Sequence, residues 1–264
     1  MSVLFTTFIY VKVYQLQSSV TAIVTHMVKK PPCLVLLRHG QSQWNLDNRF
    51  TGWFDIDLTK QGVAEAKKAG HSLKAAGIQP DIVHTSLQTR AILTANLALA
   101  ECNRLWVPVH RTWRLNERHY GALTGLNKDE TSEKFGVDQV RKWRRSYATP
   151  PPLMEDDHPH NPNTDQRYRS VPNHLLPRGE CLADVVERLV PFWDEALVQD
   201  LHDNEVVLIA AHGNSLRALV KHLENIDDEQ IVDVEIPTGV PIVYELDSDF
   251  NPLKSIPLVE RFLS

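Results

Sequence analysis

Short unbroken apolar runs alternate along this chain with stretches in which apolar residues return every three or four positions. Four consecutive apolar residues, Leu34, Val35, Leu36 and Leu37, read as a strand buried on both faces, as a parallel sheet requires. A second such run covers residues 206–211, and shorter strands are expected at 81–85, 106–109 and 242–246, with Pro108 putting the second of these shorter strands near a sheet edge. Between the strands lie helical repeats. Thr59 caps the first, which shows Val63, Ala66, Ala69, Leu73 and Ala76 on one face and ends at Gly77. Ser86 caps a helix reaching about residue 100, with Ile92, Ala95 and Leu99 aligned. Residues 127–130 have capping-box spacing, and Val140, Trp143 and Tyr147 share the next helical face. Leu182, Val185, Leu189, Trp193 and Leu197 mark a strongly amphipathic helix, and another covers 215–224. Strands alternating with helices predict an α/β fold: a three-layer α/β/α arrangement with a mostly parallel, doubly wound sheet and helices on both faces. The rhythm fails from 149 to 178, a polar segment opening with Pro150, Pro151 and Pro152. A loop of that length is either functional or disordered.

Composition narrows the class without naming a function. The 264 residues are 42% hydrophobic and 23% charged, as in an ordinary soluble protein, and leave room for a sizeable core. A net charge of −5 excludes a general nucleic-acid binder, so any anion site must be built by local clustering of cations. Cys33, Cys102 and Cys181 show neither disulfide nor zinc spacing, which makes a reducing cytoplasm the default. Residues 3–11 are apolar and β-branched, but Lys12 ends the run well short of a membrane span, and signal-peptide flanks are missing. The expectation is that residues 1–30 are an extension outside the fold, or the product of an upstream start with Met27 as the true one. Residues 31–264 would then form a single catalytic domain, and a chain beginning at Met27 would be as active and stable as the whole.

The chemistry gathers where strands end. The run at 34–37 stops at Arg38, His39 and Gly40, and the run at 206–211 stops at His212 and Gly213, about 170 residues later. In an open α/β sheet, ligands sit at the carboxyl ends of strands. If these two strands are neighbours, two histidines meet at one edge of the sheet beside an arginine. The bland alternative is two core histidines. A metal site would want a third ligand, and an arginine beside a metal is unfavourable. Phosphoryl transfer fits better: a neutral imidazole attacks phosphorus while fixed cations and helix N-termini hold the equatorial oxygens. Arg90, in the first turn of its helix, can point the same way or lie exposed. Glu117, in an aperiodic segment, can protonate a leaving oxygen. Arg144 and Arg145, with Lys128, form either a solvated helix face or a hold on a second anionic group.

Together these segments resemble the cofactor-dependent phosphoglycerate mutases of the histidine phosphatase superfamily, over residues 34 to about 253. The resemblance rests on Arg-His-Gly-Gln-Ser-Gln-Trp-Asn at 38–45, Arg-Phe-Thr-Gly-Trp at 49–53, Leu-Asn-Glu-Arg-His-Tyr-Gly at 115–121, Trp143-Arg144-Arg145, Ala-Ala-His-Gly-Asn-Ser-Leu-Arg-Ala-Leu at 210–219 and Ile-Pro-Thr-Gly-Val-Pro at 236–241. It implies that His39 becomes phosphorylated, that Arg38, Arg90 and His212 bind the transferred group with help from Asn45 and the backbone at Gly213, and that Glu117 carries the proton. Ser42, Thr51, Gly52, Tyr120, Lys128, Arg144, Arg145 and Asn214 would line the substrate pocket. The implied reaction interconverts 3-phosphoglycerate and 2-phosphoglycerate, primed by 2,3-bisphosphoglycerate and needing no metal. The implied protein is cytoplasmic and a homo-oligomer (dimer or tetramer), with small-molecule partners and neither nucleic acid nor membrane. Exposed aliphatics near Val107 or Leu201 are expected to contribute to its interface. Two departures from the family pattern matter, the first for activity and the second a neutral replacement. Relatives continue beyond the position of Ser264 into a longer Ala-, Gly- and Lys-rich tail, so leakage of phosphohistidine to water is expected to be greater here. Cys181 stands where the mutases have serine, while Glu180 keeps its place. The alternatives are a phosphomonoesterase on the same fold and a non-catalytic module reading phosphorylated partners. The second should have lost one of His39, Arg90, Glu117 or His212, and all four are present.

Overall fold

The computed structural model describes residues 30–263; the extension and the candidate start at Met27 lie outside the described residues. In chain order the regular elements are β1 (Cys33–Arg38), α1 (Gln43–Leu46), α2 (Lys60–Ala75), β2 (Ile82–Thr85), α3 (Thr89–Glu101), β3 (Val109–Arg111), α4 (Lys128–Phe135) and α5 (Val137–Arg145). They continue with α6 (Leu182–Phe192), α7 (Val198–Asp203), β4 (Val206–Ala211), α8 (Gly213–Glu224) and β5 (Pro241–Glu245). The strands lie in the order β3-β2-β4-β1-β5; β5 is antiparallel to β1 and the other pairings are parallel.

The unbroken apolar runs are explained by burial on both sheet faces. Leu34, Leu36, Val207 and Ile209 pack under α6 and α8, while Val35, Leu37, Leu208 and Ala210 pack under α2 and α3. Each strand side chain is fully covered (0% exposed for all eight), so no polar alternation is possible. The doubly wound, three-layer reading therefore holds.

Several boundaries differ from the sequence reading, each for a local reason. The third strand begins at Val109 rather than Trp106, because Pro108 has no N–H; only its carbonyl takes part, accepting from Val83 N at 3.0 Å. Trp106 is 72% exposed. Ser86 does not cap α3. The Asp55 carboxylate, from a distant loop, accepts from Thr89 N at 2.7 Å instead, while the Ser86 hydroxyl accepts from Gln88 N at 3.1 Å, just before the helix, and lies 2.8 Å from His212 Nε2. Tyr147 lies beyond the end of α5 and packs in the main core, whereas Val140 and Trp143 pack around Phe50. The amphipathic helix at 182–197 is not uniform: after Pro191, which supplies no N–H, it widens into a π-helical turn at Trp193–Leu197 before α7. Val107 and Leu201 are buried at 4% and 0%; the exposed apolar residues beside Val107 are Leu105 and Trp106.

The polar segment 149–178 is ordered. Tyr168, Val171 and Leu176 pack on Trp53, and Met154 N donates to the Arg178 carbonyl at 2.8 Å. Arg167 ties it to Asp55.

Candidate active site

Register brings the two histidines together. Arg38 pairs with Ala211 across the parallel β1/β4 ladder, and His39 N donates to the Ala211 carbonyl at 3.0 Å. His39 and His212 therefore leave adjacent strands side by side, with ring centroids 5.0 Å apart in an edge-on arrangement. The chain can turn away after His39 because Gly40 crosses Gly62 at the start of α2; a Cβ on Gly40 would lie 2.1 Å from the Gly62 carbonyl oxygen.

The tautomer of His39 follows from its partners. Nδ1 lies 2.7 Å from the Gly40 carbonyl, which can only accept, so Nδ1 carries the proton. Nε2 keeps its lone pair and accepts from Arg90 Nε at 3.3 Å. Burial, then the charges of Arg90 and Arg38, hold the His39 pKa well below the usual imidazole value. Burial and the same cations act on His212. His39 is thus a neutral, oriented imidazole between two guanidinium groups, which is what nucleophilic attack on phosphorus needs.

Arg90 is 1% exposed and held on three sides: besides His39, it donates to the carbonyls of Phe54 at 3.0 Å and Gly52 at 2.9 Å. Burial lowers its pKa to about 10, which leaves it charged at neutral pH. Arg38 donates to the Ile236 carbonyl at 2.7 Å, while its buried Nε has no partner. A side chain at Gly213 would meet the Arg38 guanidinium at 3.4 Å, so the glycine leaves that face open.

Glu117 is pinned through one oxygen. Its Oε1 accepts from Arg118 N at 2.7 Å, Asn214 N at 3.2 Å and Asn214 Nδ2 at 3.0 Å. Gln88, buried between two segments, accepts from Glu117 N and donates to the Gly52 carbonyl, both at 2.8 Å. A buried pair, Arg188 and Glu180 (2.7 Å), grips the same strand of chain, Arg188 donating to the carbonyls of Asn116 and Glu117. Glu180 also accepts from His119 N at 2.7 Å.

These groups open into a cleft of about 920 Å³, its mouth included. Of the residues expected from sequence, Arg38, His39, Asn45, Thr51, Arg90, Glu117, Tyr120, Lys128, Arg144, Arg145, Gly213 and Asn214 line it. Ser42, Gly52 and His212 stand behind the lining. Ser42 caps α1 and its hydroxyl donates to Asn45 Oδ1 at 2.9 Å; Gly52 works through its carbonyl; His212 Nε2 lies 2.8 Å from Ser86 Oγ. None of residues 149–178 is in the lining.

Sequence reasoning missed Arg49, Arg217 and Glu235 in the cleft and Gln88, Arg118 and Ser86 behind it. Arg217 lies one helical turn after Asn214 and donates to its Oδ1 at 3.0 Å, which forces the Asn214 amide nitrogen toward Glu117. That spacing was a readable signal. Arg118 gave none: fully buried, it donates to the carbonyls of Trp143 and Arg144 and so fixes the end of α5. In total the lining carries Arg38, Arg49, Arg90, Lys128, Arg144, Arg145 and Arg217 against Glu117 and Glu235. Such a cleft suits a ligand with more than one anionic group. Among the described residues no cluster of His, Cys, Asp or Glu has the makings of a metal site.

Comparison with known proteins agrees with this geometry. The model of the histidine phosphatase superfamily (branch 1) matches residues 34–158 and 153–256. A 2,3-bisphosphoglycerate-dependent phosphoglycerate mutase of Thermobifida fusca is 57% identical over 222 residues, covering 84% of this chain and 90% of its own. One of Corynebacterium diphtheriae is 59% identical over 214 residues, covering 81% and 86%. Among solved structures, Bacillus stearothermophilus YhfR superposes with a TM-score of 0.64 at 23% identity, covering 85% of this chain and 96% of its own. A mycobacterial hydrolase superposes at 0.65 and 21%, covering 84% and 95%; at these identities both speak for the fold alone.

Proposed function

Since the chain belongs to the histidine phosphatase superfamily, and within it to the 2,3-bisphosphoglycerate-dependent phosphoglycerate mutases, we propose that it interconverts 3-phosphoglycerate and 2-phosphoglycerate through a phosphoryl group carried on His39. The observation that carries the assignment to His39 is its fixed tautomer: Nδ1 is protonated against Gly40, and Nε2 faces Arg90 in the cationic cleft.

The residues fit a bisphosphorylated primer. The unpartnered Arg38 Nε and the excess of cations call for anionic oxygens at both ends of the cleft. When bound, 2,3-bisphosphoglycerate supplies the phosphoryl group that loads His39. Arg38, Arg90, His212, Asn45 and the N–H of Gly213 at the start of α8 hold its oxygens as charge builds up. Glu117, free at Oε2, takes the proton from an attacking hydroxyl and returns it to a leaving oxygen. In the transfer to substrate, the N–P bond at His39 Nε2 breaks as the new O–P bond forms, and the hydroxyl proton passes to Glu117. Lys128, Arg144 and Arg145 hold the far anionic end, with Thr51, Tyr120 and Asn214 along the body of the substrate. Ser42 acts through Asn45, and Gly52 through Arg90. No metal takes part in this scheme.

In the same reading, residues 31–264 act as one catalytic domain. A cytoplasmic location agrees with three unpaired cysteines, and no helix among the described residues is long and apolar enough to cross a membrane. Assembly as a dimer or tetramer agrees with exposed Leu105 and Trp106 beside the edge strand β3.

The test is enolase-coupled conversion of 3-phosphoglycerate with and without 2,3-bisphosphoglycerate, following inorganic phosphate in the same sample. Cofactor-stimulated conversion with little phosphate release is expected, and His39→Ala should abolish both conversion and labelling of the protein by the primer. Phosphate release outrunning isomerisation would instead make the protein a phosphomonoesterase working through the same histidine.

A further inference from the structure

Arg145 and Glu235 form an ion pair inside the cleft that the reaction itself has no use for. Arg145 is the last residue of α5; Glu235 precedes Ile236, whose carbonyl holds Arg38. The two carboxylates of the cleft differ in kind. Glu117 is buried and pinned by three N–H groups, whereas Glu235 is 73% exposed at its side chain and bonded to Arg145. One is fixed for chemistry; the other can swing into water at little cost.

We infer that Glu235 is an internal counter-anion, holding Arg145 until the second anionic end of a ligand displaces it. The inference rests on the reading above, in which Arg145 belongs to the far end of the substrate site. Its consequence is a competition that only ligands with two anionic ends have to meet. A ligand with two anionic ends exchanges one ion pair of Arg145 for another and keeps its other contacts. A ligand with a single phosphate, held at the His39 end, leaves the Arg145–Glu235 pair in place and gains nothing from that arginine.

A double-mutant cycle decides the matter. The affinity for 2,3-bisphosphoglycerate is measured by titration calorimetry on the full chain, on Glu235→Gln, on Arg145→Gln and on the double variant. Phenyl phosphate serves as the single-anion probe. Glu235→Gln is expected to tighten 2,3-bisphosphoglycerate binding about two- to fivefold, the size of one solvent-facing ion pair. The gain should vanish in the Arg145→Gln background, and phenyl phosphate should bind all four proteins within about twofold. Unchanged or weaker bisphosphate binding in Glu235→Gln would overturn the inference, as would an equal gain for phenyl phosphate, which would report only the overall charge. Enolase-coupled conversion by the unaltered protein is run in parallel. Its failure would sink the mutase reading, while the cycle would still decide whether Glu235 competes with anions for Arg145.

Discussion

At the scale of single residues, the site depends on fixing protons before any ligand arrives. The Gly40 carbonyl sets the His39 tautomer, and Arg217 sets the Asn214 amide that in turn faces Glu117. Glu117→Gln should keep that architecture, because a glutamine oxygen can accept the same three N–H groups. With no proton to exchange, kcat for 3-phosphoglycerate conversion should fall about 10²- to 10⁴-fold with the fold intact; a change under about tenfold would remove Glu117 from the role of proton carrier. The buried histidines also make a prediction about stability. Burial, with Arg188 next in weight, lowers the His119 pKa to about 3, and His39 and His212 are depressed as well. Their unfolded values lie near about 6.5. Below that pH the unfolded chain binds protons that the folded one refuses, so stability is full above about pH 6.5 and falls as the pH drops toward the folded values. Urea midpoints taken at pH 7, 6 and 5 should decline, and His119→Gln should flatten the decline by about one proton, on the order of 1 kcal/mol per pH unit.

At the scale of elements, the site is held by close crossings and by hydrogen bonds from distant segments. The loop after β1 passes over the start of α2 at Gly40 and Gly62. A Cβ on Gly62 would sit 2.1 Å from the Gln41 carbonyl oxygen, a backbone atom that cannot move aside. Gly62→Ala should therefore cost about 1–3 kcal/mol in urea unfolding, and more activity than stability, since Gln41 lies two residues from His39. Wild-type behaviour in both assays would mean that the crossing is looser than these distances state. Strand positions were legible wherever burial on both faces forced an unbroken apolar run, as at Leu34 to Leu37 and Val207 to Ala211. The start of α3 was not, because its cap is Asp55, which is supplied from more than thirty residues away.

At the scale of the whole molecule, a chain with a net charge of −5 concentrates seven cations in one cleft. The field that draws in a phosphoglycerate is thus local and opposed by the rest of the surface. Such attraction is screened over about 10 Å at about 0.1 M salt. The kcat/KM for 3-phosphoglycerate should accordingly fall several-fold between about 20 and 200 mM potassium chloride, mostly through KM. Insensitivity to salt would mean that the cleft cations are already neutralised from within.

The sequence by itself determined the layered sheet, the two strand-histidine-glycine junctions and most of the residues that line the cleft. Each of these is a local pattern: an apolar run long enough to be buried twice, or a reactive side chain at the place where that run stops. Only the tertiary structure decided which junctions adjoin, through the β1/β4 register of Arg38 with Ala211. It also drew Ser86 away from a cap to His212, set Arg118 on the carbonyls that end α5, and placed Glu235 on Arg145. The reason is physical: a polar side chain can satisfy its hydrogen bonds with many partners, and the one it takes depends on which segments the core brings within about 3 Å of it.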